Sequence, residues 1–105
     1  MRTIQANVDL TGWRLRRLPK KPDGSWLFND VIVRGYFSID TNFITSLEGC
    51  PREVHGSFFC DENFLESLDG CPKVVTGDFW CRQQHKRFDI DYIRGMCEIA
   101  GNIRR

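Results

Sequence analysis

Residues 35–51 read GYFSIDTNFITSLEGCP, and residues 56–72 read GSFFCDENFLESLDGCP. Set 21 residues apart, the two segments agree at Gly35/Gly56, Phe37/Phe58, Asp40/Asp61, Asn42/Asn63, Phe43/Phe64, Ser46/Ser67, Leu47/Leu68, Gly49/Gly70, Cys50/Cys71 and Pro51/Pro72. So many identities in one register constitute an internal repeat. A unit of that length has no core of its own and must bury its apolar side against its neighbours, so the repeat predicts a stacked solenoid.

The period extends both ways. Val33, Val54 and Val75 fall in register, as do Ile39, Cys60 and Cys81, with Phe79 continuing the Phe37/Phe58 column. The pattern resumes 24 residues on, at Ile99–Ile103. An offset of 29 aligns Ile4, Val8, Leu10, Leu15 and Leu18 with Val33, Phe37, Ile39, Ile44 and Leu47. The extra residues fall within 19–31, where Pro22-Asp23-Gly24 signals a turn. Five rungs follow, at about 4–10, 33–39, 54–60, 75–81 and 99–103. Apolar residues alternate within each, the period of a half-buried strand, and one strand per repeat stacks into a parallel sheet.

Asn42 and Asn63 stand where the chain must turn off the strand; Asn tolerates a left-handed backbone and can bond to nearby backbone groups. After Cys81 the repeat breaks: residues 82–88, RQQHKRF, lack the asparagine and leucine of the earlier units. Asp89 is placed to cap a helix of about two turns, with Ile90, Ile93 and Cys97 inward and Gly95 limiting its length. That helix is expected to cover the end of the stack. The expected fold is mainly β or α+β, in one domain over 1–105. Residues 1–32 form an N-terminal cap and insertion, 33–81 the core repeats and 82–105 a C-terminal cap.

A 41% hydrophobic and 12% aromatic composition is that of a folded chain rather than a disordered one. No apolar run approaches the roughly 20 residues of a membrane span. Met1–Asn7 contains no apolar stretch of signal-peptide type, so a cytoplasmic location is expected. Five cysteines, an odd number, suggest reduced thiols. None forms the close pair typical of structural zinc, and Ile39 occupies the repeat position of Cys60. The cysteines therefore read as buried packing, with no metal or cofactor expected. Metal binding is the alternative.

Net charge is +1, but residues 1–22 carry +5, residues 23–81 carry −7 and residues 82–105 carry +3. That segregation suits either a solvated surface or a patch that orients a partner. Catalysis finds no support: His55 and His85 occupy different repeat positions, the acids recur through repetition, and no nucleophile–base–orienter set appears. No catalytic residue is assigned.

If Val, Phe and Ile/Cys point inward, the residues between them point out. That outward row is Arg34, Tyr36, Ser38, Asp40; His55, Ser57, Phe59, Asp61; Thr76, Asp78, Trp80, Arg82. Tyr36, Phe59 and Trp80 thus stand where a sheet meeting only water favours polar groups. Aromatics ringed by charge resemble an interface centre, and the candidate partner-binding residues are Tyr36, Asp40, His55, Phe59, Asp61, Asp78, Trp80 and Arg82. Alternatively the insertion, with Trp26 and Phe28, folds over this face. The basic ends, with Arg14, Arg16, Arg17, Lys20 and Lys21, leave nucleic-acid binding as a second function, opposed by Asp40, Asp61 and Asp78 in the middle of the row.

The units Val54-x-Gly56-x-Phe58-x-Cys60, Asn63, and Ser67-Leu68-x-Gly70-Cys71-Pro72 resemble those of a group of short phage-encoded leucine-rich-repeat-like proteins. Phe88-Asp89, Ile93-Arg94, Cys97, Ile99, Gly101 and Ile103 resemble the helix-plus-strand cap of the same group. The likeness covers most of residues 31–105, while residues 1–30 share it only loosely. It implies a leucine-rich-repeat-like solenoid that binds a host protein and masks or inhibits it, in host takeover or anti-defence. It carries no catalytic residue across, because fold does not fix function.

Overall fold

The alternating apolar residues form strands, and these stack in sequence order. The computed structural model describes residues 1–105. Each of five rungs holds two short strands: β1 (Arg2–Ile4) and β2 (Val8–Asp9), β3 (Val31–Val33) and β4 (Phe37–Ser38), β5 (Glu53–Val54) and β6 (Phe58–Phe59), β7 (Val74–Val75) and β8 (Phe79–Trp80), then β9 (Glu98–Ile99) and β10 (Ile103–Arg104). One helix, α1 (Ile90–Met96), lies between β8 and β9.

The single sheet expected from the alternation is in fact two, ordered β1-β3-β5-β7-β9 and β2-β4-β6-β8-β10, with every strand pair parallel. The break falls at the repeated glycine. A Cβ on Gly56 would lie 2.5 Å from the Gly35 carbonyl oxygen, and one on Gly77 would lie 2.7 Å from the Gly56 carbonyl carbon. The rung bends where successive backbones approach too closely for any side chain.

Register then builds the core. Phe37, Phe58 and Phe79 stack, with ring centroids 6.1 and 5.2 Å apart, and all three are fully buried. Val33, Val54, Val75 and Ile99 line the other sheet, and Ile44, Leu65, Leu18, Leu47 and Leu68 close the core from the turns. Phe28 joins it edge-on to Phe37 at 5.4 Å, so the end of the insertion enters the core.

The left-handed turn falls one residue before the asparagines. Thr41, Glu62 and Gln83 adopt the left-handed conformation (φ 56°, 55° and 58°), in register with Gly12 (φ 71°). Asn42 and Asn63 bond to nearby backbone, the other role open to asparagine here, as buried plugs. The Asn63 side-chain amide donates to the carbonyls of Ile39, Cys60 and Asp61 and accepts from the Ile44 N–H. Asn42 does the same for Leu10, Ile39, Asp40 and Leu15. A chain leaving a strand strands its carbonyls, and a neutral amide supplies donors and an acceptor without burying charge. The third unit keeps this device although it lacks the asparagine: Gln84 donates to Cys60 and Arg82 carbonyls and accepts from Leu65 N–H.

The helix spans seven residues, near the expected two turns. Asp89 is its N-cap residue but makes no side-chain capping bond, and Ile90 is exposed. Ile93 and Cys97 do face the core, joined by Phe88. Tyr92 fixes the helix sideways by accepting the Leu68 N–H at its hydroxyl (2.9 Å). The helix therefore flanks the stack, and the fifth rung, not the helix, layers onto the fourth.

Candidate interaction face

The second sheet presents outward Asp9, Ser38, Phe59, Trp80 and Arg104, one per rung. Tyr36 belongs to the column before, in register with Ser57, yet its ring reaches Phe59 edge-on at 5.8 Å. Phe59 stacks on Trp80, also at 5.8 Å, with 26° between ring planes. Tyr36, Phe59 and Trp80 thus form one continuous, partly exposed row. The Arg82 and Arg104 guanidinium carbons lie 4.8 and 5.4 Å from the Trp80 ring centre, both at cation–π distance. At the opposite end the Tyr36 hydroxyl donates to Asp9 at 3.3 Å.

The carboxylates have structural duties. Asp61 is buried; it accepts the Arg82 backbone N–H at 2.6 Å and pairs with the Arg82 guanidinium at 3.0 Å. Asp40 accepts the Asp61 N–H at 2.7 Å, and Asp78 accepts the Asn102 N–H at 2.8 Å. Each carboxylate holds the next rung's backbone, which accounts for the recurrence of acids at these positions. Ser38 is buried as well, bonded to Thr11 at 2.8 Å. Burial pushes the half-buried Asp40 carboxyl up to about 6; the charges of Asp61 and Glu62 also raise it, while the Asp61 N–H and Arg82 oppose the shift. Asp9, Thr11, Tyr36, Ser38, Asp40 and Phe59 line a shallow hollow of about 260 Å³.

Of the sequence-derived candidates, Tyr36, Phe59, Trp80 and Arg82 come together, with Asp40 beside them and Asp61 beneath Arg82. Asp78 is engaged with the next rung. His55 sits beyond the bend from this sheet and pairs with Glu53 at 2.9 Å. The insertion does not cover the row. Trp26 packs against Gly49 at a repeat turn, with Lys20 over its ring at 4.6 Å, and Phe28 is in the core.

Asp9 and Arg104 belong to the row although the repeat reading passed them over. The 29- and 24-residue offsets place them in the Ser38/Phe59/Trp80 column. A second aromatic feature also went unread: Phe43 and Phe64, half exposed, stack at 6.3 Å on the turn edge. Their repetition was visible, but they fall outside the strand alternation.

All five cysteines are buried and free. Burial drives the Cys50 and Cys60 thiols well above the usual thiol value. A hydrogen bond between Cys97 and Cys71 lowers the Cys71 thiol and raises that of Cys97. No three of His, Cys, Asp and Glu gather as a metal site, and no helix is long and apolar enough to cross a membrane. Comparisons with protein-family models, curated proteins and solved structures find no match to this chain.

Proposed function

We propose that this chain is a non-enzymatic binding module whose partner is a protein and whose contact surface centres on Tyr36, Phe59 and Trp80. The observation that carries the reading is the uncovered, continuous aromatic row on the second sheet, with Arg82 and Arg104 against Trp80. Trp, Tyr and Arg are the residue types that dominate interface energetics, and fixed rings lose little entropy on binding. The Phe43–Phe64 pair is more exposed, but it is two rings on a turn beside Glu62 and Glu66. The resemblance to phage-encoded proteins extends the reading to masking or inhibiting a host protein in the bacterial cytoplasm, where the thiols stay reduced.

The test is differential capture. The tagged protein is exposed to bacterial lysate alongside Trp80→Ala and Phe64→Ala. The reading requires a protein retained by the parent and by Phe64→Ala but lost with a folded Trp80→Ala. Capture that ignores Trp80, or retention of nucleic acid alone, overturns it.

A further inference from the structure

The aromatic row carries opposite charge at its two ends. Asp9 and Asp40 flank the hollow beside Tyr36 and Phe59, and neither is in an ion pair; the pairs are Arg2–Asp30, His55–Glu53 and Arg82–Asp61. One Asp40 oxygen accepts the Asp61 N–H, and the other has no protein donor. A half-buried carboxylate with no ion-pair partner of its own is a costly arrangement that a cation relieves. At the far end Arg104 lies over Trp80 with no carboxylate partner, while the Arg82 charge is taken by Asp61.

Spacing converts this polarity into a motif. Rungs stack about 4.8 Å apart, so Asp40 on the second rung and Arg104 on the fifth are separated by roughly 14 Å along the stack. An extended chain rises about 3.4 Å per residue with alternating side chains, so residues i, i+2 and i+4 span the same roughly 14 Å on one face. We infer that the row receives an extended segment of a partner protein, with lysine or arginine in the Asp9–Asp40 hollow, an apolar residue on Phe59 and Trp80, and aspartate or glutamate at Arg104. This rests on the protein-binding reading and adds the chemistry of the partner. A phosphate backbone meets repulsion at the Asp9–Asp40 end.

The experiment is an NMR titration of the isotope-labelled full chain with three acetylated, amidated peptides: Lys-Ser-Leu-Ser-Glu, Gln-Ser-Leu-Ser-Glu and Lys-Ser-Leu-Ser-Gln. The first should shift the amides of Asp40, Phe59, Trp80 and Arg104, and each of the others should bind at least tenfold more weakly. Asp40→Asn keeps an acceptor for the Asp61 N–H, so it should fold and bind the lysine and glutamine-first peptides within twofold of one another. Asp9→Asn should reduce the preference partway. Equal binding of all three peptides to the parent, with shifts along the row, overturns the charge assignment but leaves the aromatic reading standing. Shifts elsewhere, or none at millimolar peptide, overturn the inference, and the capture experiment then judges the aromatic reading separately. Row shifts with oligothymidylate instead of the peptides overturn both.

Discussion

Phe58→Ala removes the middle ring of the buried stack. Phe58 is fully buried, lies nearly parallel to Phe37 at 6.1 Å and touches Phe79 at 5.2 Å, so truncation strips both neighbours of a contact at once. Buried Phe→Ala changes cost roughly 3–5 kcal/mol, through lost transfer energy and the cavity left behind. This site belongs at the upper end. The rungs above and below are pinned by ladder hydrogen bonds from Phe37 to Ser57 and from Phe58 to Asp78, so the hole cannot collapse along the stack. Total stabilities are typically about 5–15 kcal/mol, so the loss removes a third or more of the whole. At about 4–8 °C per kcal/mol for a domain near this size, the melting temperature should fall by roughly 15–40 °C. Urea unfolding followed by circular dichroism reads the change in midpoint. Phe64→Ala, half exposed, serves as the control and should lose under about 1 kcal/mol. A Phe58→Ala midpoint equivalent to a loss below about 1 kcal/mol would refute the stacked-core account.

Further outcomes follow from the turns, the carboxylates and the thiols. Asn63→Ala leaves the Ile44 N–H without an acceptor, while the Ile39 and Cys60 carbonyls lose one donor each but keep Asn42 and Gln84; at about 1–3 kcal/mol for an orphaned group it should destabilise by that much, with Asn63→Gln less harmful, both read by urea unfolding. Asp40 is raised to about 6, so the folded state holds its proton more tightly than the unfolded chain does. Stability from this group is therefore full below about pH 4 and declines as pH rises through 6. Asp40→Asn should exceed the parent by about 1–2 kcal/mol at pH 7.5, after discounting for solvent access, and match it near pH 3.5; melting curves across that range check the sign. Among the thiols, Cys71 should react first with a disulfide reagent in the native state, while Cys50 and Cys60 stay protected until unfolding. Rapid labelling of Cys60 would contradict its place in the core.

The repeat made the rungs, the inward columns and the parallel stacking legible, because identical offsets recur wherever a side chain must fit the one above it. Sheet number was harder to read. Gly56 and Gly77 are conspicuous in the repeat, but their meaning lies in the distance to the preceding carbonyl, which pattern alone does not give. The same limit left the role of Asn42 and Asn63 open: asparagine suits both a left-handed backbone and a buried amide plug, and residue type does not choose between them. Gln84 breaks the repeat in residue type yet keeps the amide group that the turn needs. Simple alternation puts His55 on the face of Phe59, but the bend at Gly56 turns it onto the other sheet. The aromatic row was legible because Phe59 and Trp80 are in register, but its charged ends, Asp9 and Arg104, depended on the irregular offsets.

The central claim is that Trp80 anchors a protein partner, and the most direct measurement is calorimetric titration of the captured protein into the parent and Trp80→Ala. Truncating a hot-spot aromatic costs about 2 kcal/mol or more, so the dissociation constant should rise about thirtyfold. The melting temperature should stay close to that of the parent, since Trp80 stands outside the core cluster. A folded Trp80→Ala that binds the partner as tightly as the parent would place the interface elsewhere on the molecule.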